Sequence, residues 1–420
     1  MLHQYRKKSA TFMITYNDHN LVTMNRQRGV RLHFVHILLC AGLMACNQTG
    51  LRHSSEMLPP HAGTSRFIAF SASNPPSDAG PVDAAQTGPC IKDTRSGLIW
   101  ELKTHQPGLR NQHNTYSWFR RDSGDNGGFA GYKNGGQCTG SRCDTEGYIN
   151  AINKRRLCSL SHWRLPSREE LASLVDYDIH YPGPVLDRTA FHNAVAQFYW
   201  SASADANDKD SAWGIGFAFG YDYAYFKSDA ARVRLVHDAL PAAAPPFSAE
   251  RFTAQSSASG ELMSAKPPTQ HCRDTIQATA PESRFIDRSD GTVVDADTGL
   301  VWMRCTLGQQ WQDRNCKGKA NFVSLEAAQR AAAASRYAGY SDWRLPGITE
   351  LTAIAELRCE NPAFNLAVFP ATQAVNFWSA TPFIDDNHKQ WLMQLRYGEN
   401  FVDLKTTTAQ VRLVRTPRLK

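Results

Sequence analysis

Apolar residues along this chain recur with two periods, and each period marks an element. Helical spacing appears at Leu171, Leu174 and Val175, directly after Ser167 and Glu170, which stand three residues apart as a capping box requires. The same stripe recurs at Leu351, Ile354 and Ala355, with Gly347 in place of the capping serine. Asp144 reads as the N-cap of a helix running to about Lys154, and an alanine-rich stretch predicts another from about Ser324 to Ser335. Strand-like runs are short: Phe198 to Ser201, Phe377 to Ser379 and Val233 to Val236. Trp213 to Phe219 and Tyr223 to Lys227 flank Gly220-Tyr221-Asp222, a predicted hairpin tip, and Tyr397-Gly398-Glu399-Asn400 predicts its counterpart. Asp290-Gly291 joins Phe285-Ile286 to Thr292-Val293-Val294 as a further hairpin, and Ser65-Arg66-Phe67-Ile68 matches Ser283-Arg284-Phe285-Ile286.

These elements come twice. Trp163-Arg164-Leu165-Pro166 with Glu170-Leu171 returns as Trp343-Arg344-Leu345-Pro346 with Glu350-Leu351. Gly97-Leu98-Ile99-Trp100 is answered by Gly299-Leu300-Val301-Trp302, and Trp200-Ser201-Ala202-Ser203 by Trp378-Ser379-Ala380-Thr381. Val233-Arg234-Leu235-Val236 is answered by Val411-Arg412-Leu413-Val414. An ordered series of matches at a long period means a duplicated unit. The ten tryptophans divide five to a unit in one order, pairing Trp118 with Trp311, and are read as core. Arg164 and Arg344 are read as buried charges that need a carboxylate or carbonyl partner. A glycine-rich insertion from Trp118 to Asp144 distinguishes the first unit.

Charge and cysteines add an address. The chain has 420 residues and a formal charge of +7, but six basic residues against Asp18 ahead of Cys46 leave only +2 for the rest. No nucleic-acid partner is therefore expected. Arg26, Arg28 and Arg31 precede an apolar run from Leu32 to Leu43, then Leu43-Met44-Ala45-Cys46. This is a secretory signal, too short to span a membrane, and it resembles a lipoprotein lipobox with Cys46 as the lipidated residue. Residues 1–23 do not fit a leader, so translation is expected to start at Met24. The resemblance implies a membrane partner through the lipid anchor and, with Asn47 after it, the outer membrane. The expected organisation is a leader over 1–45, a tether over 46–64, a first unit over 65–238, a linker over 239–271 and a second unit over 272–416. Four cysteines remain in each unit, Cys90, Cys138, Cys143 and Cys158, then Cys272, Cys305, Cys316 and Cys359. In an exported chain they read as disulfides; without a Cys-x-x-Cys spacing zinc is disfavoured. Four cysteines allow three pairings, and the sequence does not choose among them. The short loops Cys138–Cys143 and Cys305–Cys316 are preferred, which leaves Cys90–Cys158 and Cys272–Cys359.

Chemistry-bearing clusters are few, and no cofactor or metal is expected. Asp176, Asp178 and His180 have no equivalent in the second unit and read as a solvated turn. His162 becomes Asp342 in the other copy, which argues against a shared base. Asp122 to Gly127 has the oxygen density of a calcium loop without EF-hand spacing and reads as a flexible polar loop. The matched hairpins differ more informatively. Tyr221 stands opposite Glu399, Tyr223 opposite Phe401 and Tyr225 opposite Asp403. Tyrosines that the other copy replaces by acids are candidates to stack on sugar rings; packing against the neighbouring unit is the alternative. Arg120 and Arg121 add a candidate anion contact.

The four ordered motifs resemble the Lcl C-terminal domain family, named for the C-terminal module of a collagen-like bacterial adhesin, over most of 90–238 and 285–416. More distantly, Arg-Leu-Pro-x-x-x-Glu and Arg-Leu-Val resemble the formylglycine-generating-enzyme group, related to C-type lectins. The resemblance implies an α+β fold of two tandem units, each with about two helices and a twisted, mostly antiparallel sheet. It implies a surface binding module whose ligand class includes glycans; an assembly role through envelope proteins and then an enzyme are the alternatives. The enzyme group uses a thiol pair late in its domain, and no cysteine follows Cys158 in the first unit or Cys359 in the second. The address is testable: radiolabelled palmitate should enter the wild-type protein and not Cys46→Ser, and label persisting in the variant refutes the anchor.

Overall fold

A computed structural model of the protein describes residues 65–70, 88–238 and 270–417. The leader, Cys46, the tether and most of the linker lie outside the described residues. In the first unit, strands β1 (Phe67–Phe70), β2 (Cys90–Asp93) and β3 (Ile99–Glu101) precede helices α1 (Thr145–Arg155) and α2 (Arg168–Ala172). Strands β4 (Phe198–Ala204), β5 (Ser211–Gly216), β6 (Tyr221–Phe226) and β7 (Val236–His237) follow. After β8 (His271–Cys272), the second unit repeats this plan with β9 (Phe285–Asp287), β10 (Thr292–Asp295) and β11 (Val301–Met303). It then adds a hairpin of β12 (Gln310–Gln312) and β13 (Asn315–Lys317) before α3 (Leu325–Ala334) and α4 (Ile348–Ala353). Strands β14 (Cys359–Glu360), β15 (Asn376–Pro382), β16 (Lys389–Gln394), β17 (Glu399–Leu404) and β18 (Val414–Arg415) complete it.

The fold is α+β, in two tandem units. Each unit has two main antiparallel sheets rather than one, and the second adds two-stranded pairs β12-β13 and β8-β14. The first has the orders β1-β2-β3-β7 and β4-β5-β6, and the second β9-β10-β11-β18 and β15-β16-β17. No helix among the described residues is long and apolar enough to cross a membrane.

The repeated motif ties these layers together. Pro166 ends the preceding extended segment, and Ser167 accepts from the Glu170 amide at 3.1 Å to start α2. Glu170 reaches back to the Ser167 amide at 2.8 Å, completing the capping box, and its two oxygens each take an Arg164 amino group at 2.7 Å. Arg164 also exchanges main-chain hydrogen bonds with Val236, at 3.0 and 2.9 Å, so helix, motif and closing strand are locked at one residue. The second unit repeats all of these bonds but the serine cap: Arg344 to Glu350 at 2.7 Å twice, Gly347 N–H to Glu350 at 2.7 Å, and Arg344 to Val414 at 2.9 and 3.0 Å. With no hydroxyl at Gly347, only the glutamate half of the capping box survives there.

Three expectations need correction. Arg164 and Arg344 have their carboxylates but are not buried; their side chains remain 38% and 41% exposed, because the partner sits on the same surface turn. The matched arginines that are buried in both units are Arg234 and Arg412 of the closing motif, each 1% exposed. Main-chain oxygens and ring faces receive them instead: Glu101 O at 2.6 Å and Phe191 for Arg234, Met303 O at 2.8 Å and Phe369 for Arg412. Burial lowers the pKa of Arg412 to about 9. Second, Trp118 and Trp311 are not equivalent. The Trp200 indole donates to Tyr116 O and that of Trp378 to Val323 O, which aligns Tyr116 with Val323 and leaves Trp118 inside the insertion. Trp118 is fully buried, whereas Trp311 lies half-buried on the added hairpin under Arg304. Third, the hairpin turns fall at 217–220 and 395–398, ahead of the predicted tips. Tyr221 and Glu399 are already in strands, paired with Gly216 and Gln394. Gly220 and Gly398, at φ of 90° and 85°, end the turns where a side chain would be strained.

The disulfides are Cys90–Cys158, Cys138–Cys143, Cys272–Cys359 and Cys305–Cys316, the preferred set. The insertion is not a free polar loop. Lys227, at the end of β6, is fully buried over the Trp118 ring and donates to Asn126 O at 2.7 Å, Phe129 O at 2.8 Å and Lys209 O at 2.6 Å. Asp122 and Asp125, from the calcium-like stretch, pair with Arg120 at 3.5 and 2.6 Å. The matched Lys405 is only half-buried. Lys227→Met should therefore strand three carbonyls, lower the urea-unfolding free energy by about 3 kcal/mol and expose the insertion to protease. Lys405→Met should change both by little, and equal effects would disprove the anchoring role.

Candidate functional site

The two units share their framework and differ at a few places, which are the site candidates. One lies on the sheet β4-β5-β6. Its middle strand has Gly214 and Gly216 where β16 has Leu392 and Gln394. A Cβ at Gly214 would sit 2.2 Å from Tyr199 O and 2.4 Å from the Phe198 ring, and one at Gly216 would meet the Tyr223 hydroxyl at 3.0 Å. The bare strand lets aromatic rings lie close over it. Phe198 stacks on Tyr225 at 4.2 Å and 28° and tilts against Tyr223 at 4.8 Å; Trp200 closes the row edge-on to Phe198 at 5.2 Å. Phe198 is buried, Tyr223 half-buried and Tyr225 37% exposed. Burial pushes the Tyr223 hydroxyl well above its ordinary pKa, so it stays a neutral donor. In the second unit the corresponding residues are Asn376, Phe401 and Asp403, and the row does not exist.

Tyr221 goes elsewhere. It packs on Trp391 of the second unit at 4.7 Å, beside Tyr177 at 5.1 Å and Phe383 at 5.8 Å. The two units meet here as parts of one compact body. Asp222 N–H donates to Asn400 Oδ1 at 2.8 Å, and Asn400 N–H to Asp222 Oδ1 at 2.6 Å. Arg168 lies fully buried between the units, with Gly398 O at 2.5 Å and Asp222 Oδ2 at 3.3 Å. At the rim His180 pairs with Asp385 at 2.8 Å, so the Asp176–His180 turn is an exposed inter-unit contact. The second unit's leading segment also crosses over: Ile276 is part of the first unit's core, and Gly127 N–H donates to Thr275 O at 2.9 Å. Sequence reasoning missed Arg168 and Asp222. The signal that could have found Arg168 is its helical position, where the other copy has apolar Ile348.

The arginine candidates do not join Tyr225. Arg120 is held by Asp122 and Asp125, and Arg121 by Glu146 at 3.1 Å through both its amide and its guanidinium. A polar cluster peculiar to the first unit is sealed: Lys103 bonds Glu101 at 3.0 Å and Tyr148 at 2.8 Å, with all three no more than 5% exposed. Burial lowers Lys103 to about 8, but no solvent path makes it a reagent. Met303, Cys305 and Ala328 replace the cluster in the second unit. No group of three His, Cys, Asp or Glu among the described residues could hold a metal ion.

The Lcl C-terminal domain model matches residues 89–237 and 291–415, well over half of the chain. The chain belongs to the Lcl C-terminal domain family. Both matches end at the closing strands β7 and β18, and β1 adds a strand ahead of the first. No curated protein matches the chain. Within this tandem Lcl pair, the aromatic row belongs to the first domain alone. Gly214→Ala should cost about 3 kcal/mol in urea melts by driving Phe198 off the strand. Tyr225→Ala should cost about 1 kcal/mol, since much of that ring is already in water. The reverse order would mean that the row is held by something other than the glycine gap.

Proposed function

We propose that this protein is a lipid-anchored envelope protein whose tandem Lcl domains act as a non-catalytic binding module for glycans. The observation that carries the reading is Tyr225. It is a large ring supported from behind by Phe198, more than a third exposed, on a fold whose other copy has an acid there. A rigid ring with a polar tip suits the apolar face and hydroxyl rim of a sugar. Family membership supports a surface or adhesin-like role, and the leader pattern ending at Cys46 supports an outer-membrane anchor. A second reading, assembly through envelope proteins, is favoured by the exposed Ile286, Phe322 and Leu404 of the second domain.

Detergent-solubilised full-length protein on a glycan array should give signal that Tyr225→Ala weakens about tenfold, equivalent to about 1.4 kcal/mol. Tyr221→Ala, at the inter-domain seam, should retain it. A blank array together with envelope proteins in a pull-down sinks the glycan reading and supports the second. Array signal unchanged in Tyr225→Ala removes the aromatic row from the mechanism.

A further inference from the structure

The seam between the two domains contains more acid than it can pair. Arg168 on α2 is its fully buried guanidinium, and Arg284 of the second domain, itself held by Asp295, also acts on Glu169. Around Arg168 stand the fully buried Asp222 on β6 at 3.3 Å, the half-buried Glu169 on α2 at 3.5 Å, and the half-buried Glu399, the residue after the Gly398 whose carbonyl Arg168 holds. Neither the Arg168–Asp222 nor the Arg168–Glu169 approach is a hydrogen bond: Asp222 Oδ2, Glu169 Oε1 and Arg168 Nε are all buried without a partner. Asp205, after β4, is 7% exposed; it faces the acids Asp208 and Glu360 and the cations Arg273 and Lys227, and also acts on Glu399. Tyr177 adds a hydroxyl that stays neutral, raised by burial and Asp222. At the exposed rim stands the His180–Asp385 pair. Excess buried negative charge is costly when the groups are ionised and is relieved when they take protons.

We propose that this seam is a pH-sensitive joint, closed in mildly acidic solution by proton uptake on its carboxylates and loosened as they ionise. The surroundings move the groups in the required direction. Burial, then Asp222 and Asp205, raises Glu399 to about 7. Burial raises Asp205 to about 6, and it also raises Asp222 against the pull of Arg168. A carboxyl raised in the folded state binds more protons folded than unfolded between its two pKa values. Its stabilising contribution is full below the ordinary carboxylate range and is lost as pH rises through about 6 to 7. β6 carries Asp222 and Tyr225 alike, so loosening the joint acts on the strand that bears the aromatic row. The inference does not depend on what that row binds.

Calorimetry of the full chain in detergent should show one unfolding transition at about pH 5.5 and two at about pH 8.5, as the domains uncouple. Between those values, amide protection at Asn400 should fall about tenfold beyond the intrinsic pH effect on exchange. Glu399→Gln should keep a single transition at both pH values, and Asp222→Asn should shrink the loss of protection. His180→Gln should leave the wild-type response in place, since its pair is at the rim. One transition at both pH values with unchanged Asn400 protection overturns the proposal. So does a wild-type response in both carboxamide variants, or its disappearance in His180→Gln.

Discussion

Asp222 and Asn400 occupy the same position in two copies of one domain, and each side chain accepts from the other's main chain. That exchange is the contact of a two-fold dimer made within a single polypeptide. The rest of the body depends on it. It aligns the edge strands of two otherwise separate sheets, and it places Gly398 O where Arg168 can be buried without a bidentate carboxylate partner. It also brings Trp391 against Tyr177 and Tyr221. A buried guanidinium is tolerated only when its donors find acceptors, so Arg168 both requires the seam and holds it.

The two-fold is broken where the copies have diverged. Arg168 faces apolar Ile348 in the matched place, and Glu169 faces Thr349. The insertion replaces a direct entry into α1, and Lys227 is sunk under its carbonyls while Lys405 stays half open. Even the indole of Trp118, which donates to Ser201 O, is answered by the Gln390 amide donating to Ser379 O. Each departure is compensated locally, because a buried carbonyl left without a donor costs about as much as a lost hydrogen bond. The disulfides follow the same divergence: Cys90 corresponds to Thr292 and Cys158 to Ala338, so that link has no counterpart in the second domain.

This division puts structure and function in different parts of the molecule. The Arg164–Glu170 and Arg344–Glu350 forks, the closing strands and the buried indoles are common to both copies and belong to the fold. The aromatic row over Gly214 and Gly216 and the acid-rich seam occur once each. The row exposes Tyr225 to solvent, while the seam is closed around the buried Arg168 and Asp222. The proposed binding role draws on the first, and the proposed pH response on the second.

Much of the framework was legible in the residues. Two copies, the capping residues Asp144 and Ser167, and the apolar stripes that start on α2 and α4 and continue just past their ends rest on short-range physics: period, capping and turn chemistry act within a few residues. Register of the matched strands was legible too, which set Tyr225 against Asp403. What the sequence could not decide was which side chain meets which across long separations. Tyr221, Tyr223 and Tyr225 share one strand face and one chemistry, yet Tyr221 packs on Trp391 while Tyr223 and Tyr225 join Phe198. Arg164 and Arg168 lie four residues apart, yet only Arg168 is buried, because the second domain lies over it. Local pattern determined the elements; burial, and with it pairing and charge balance, was decided only when the two copies packed together.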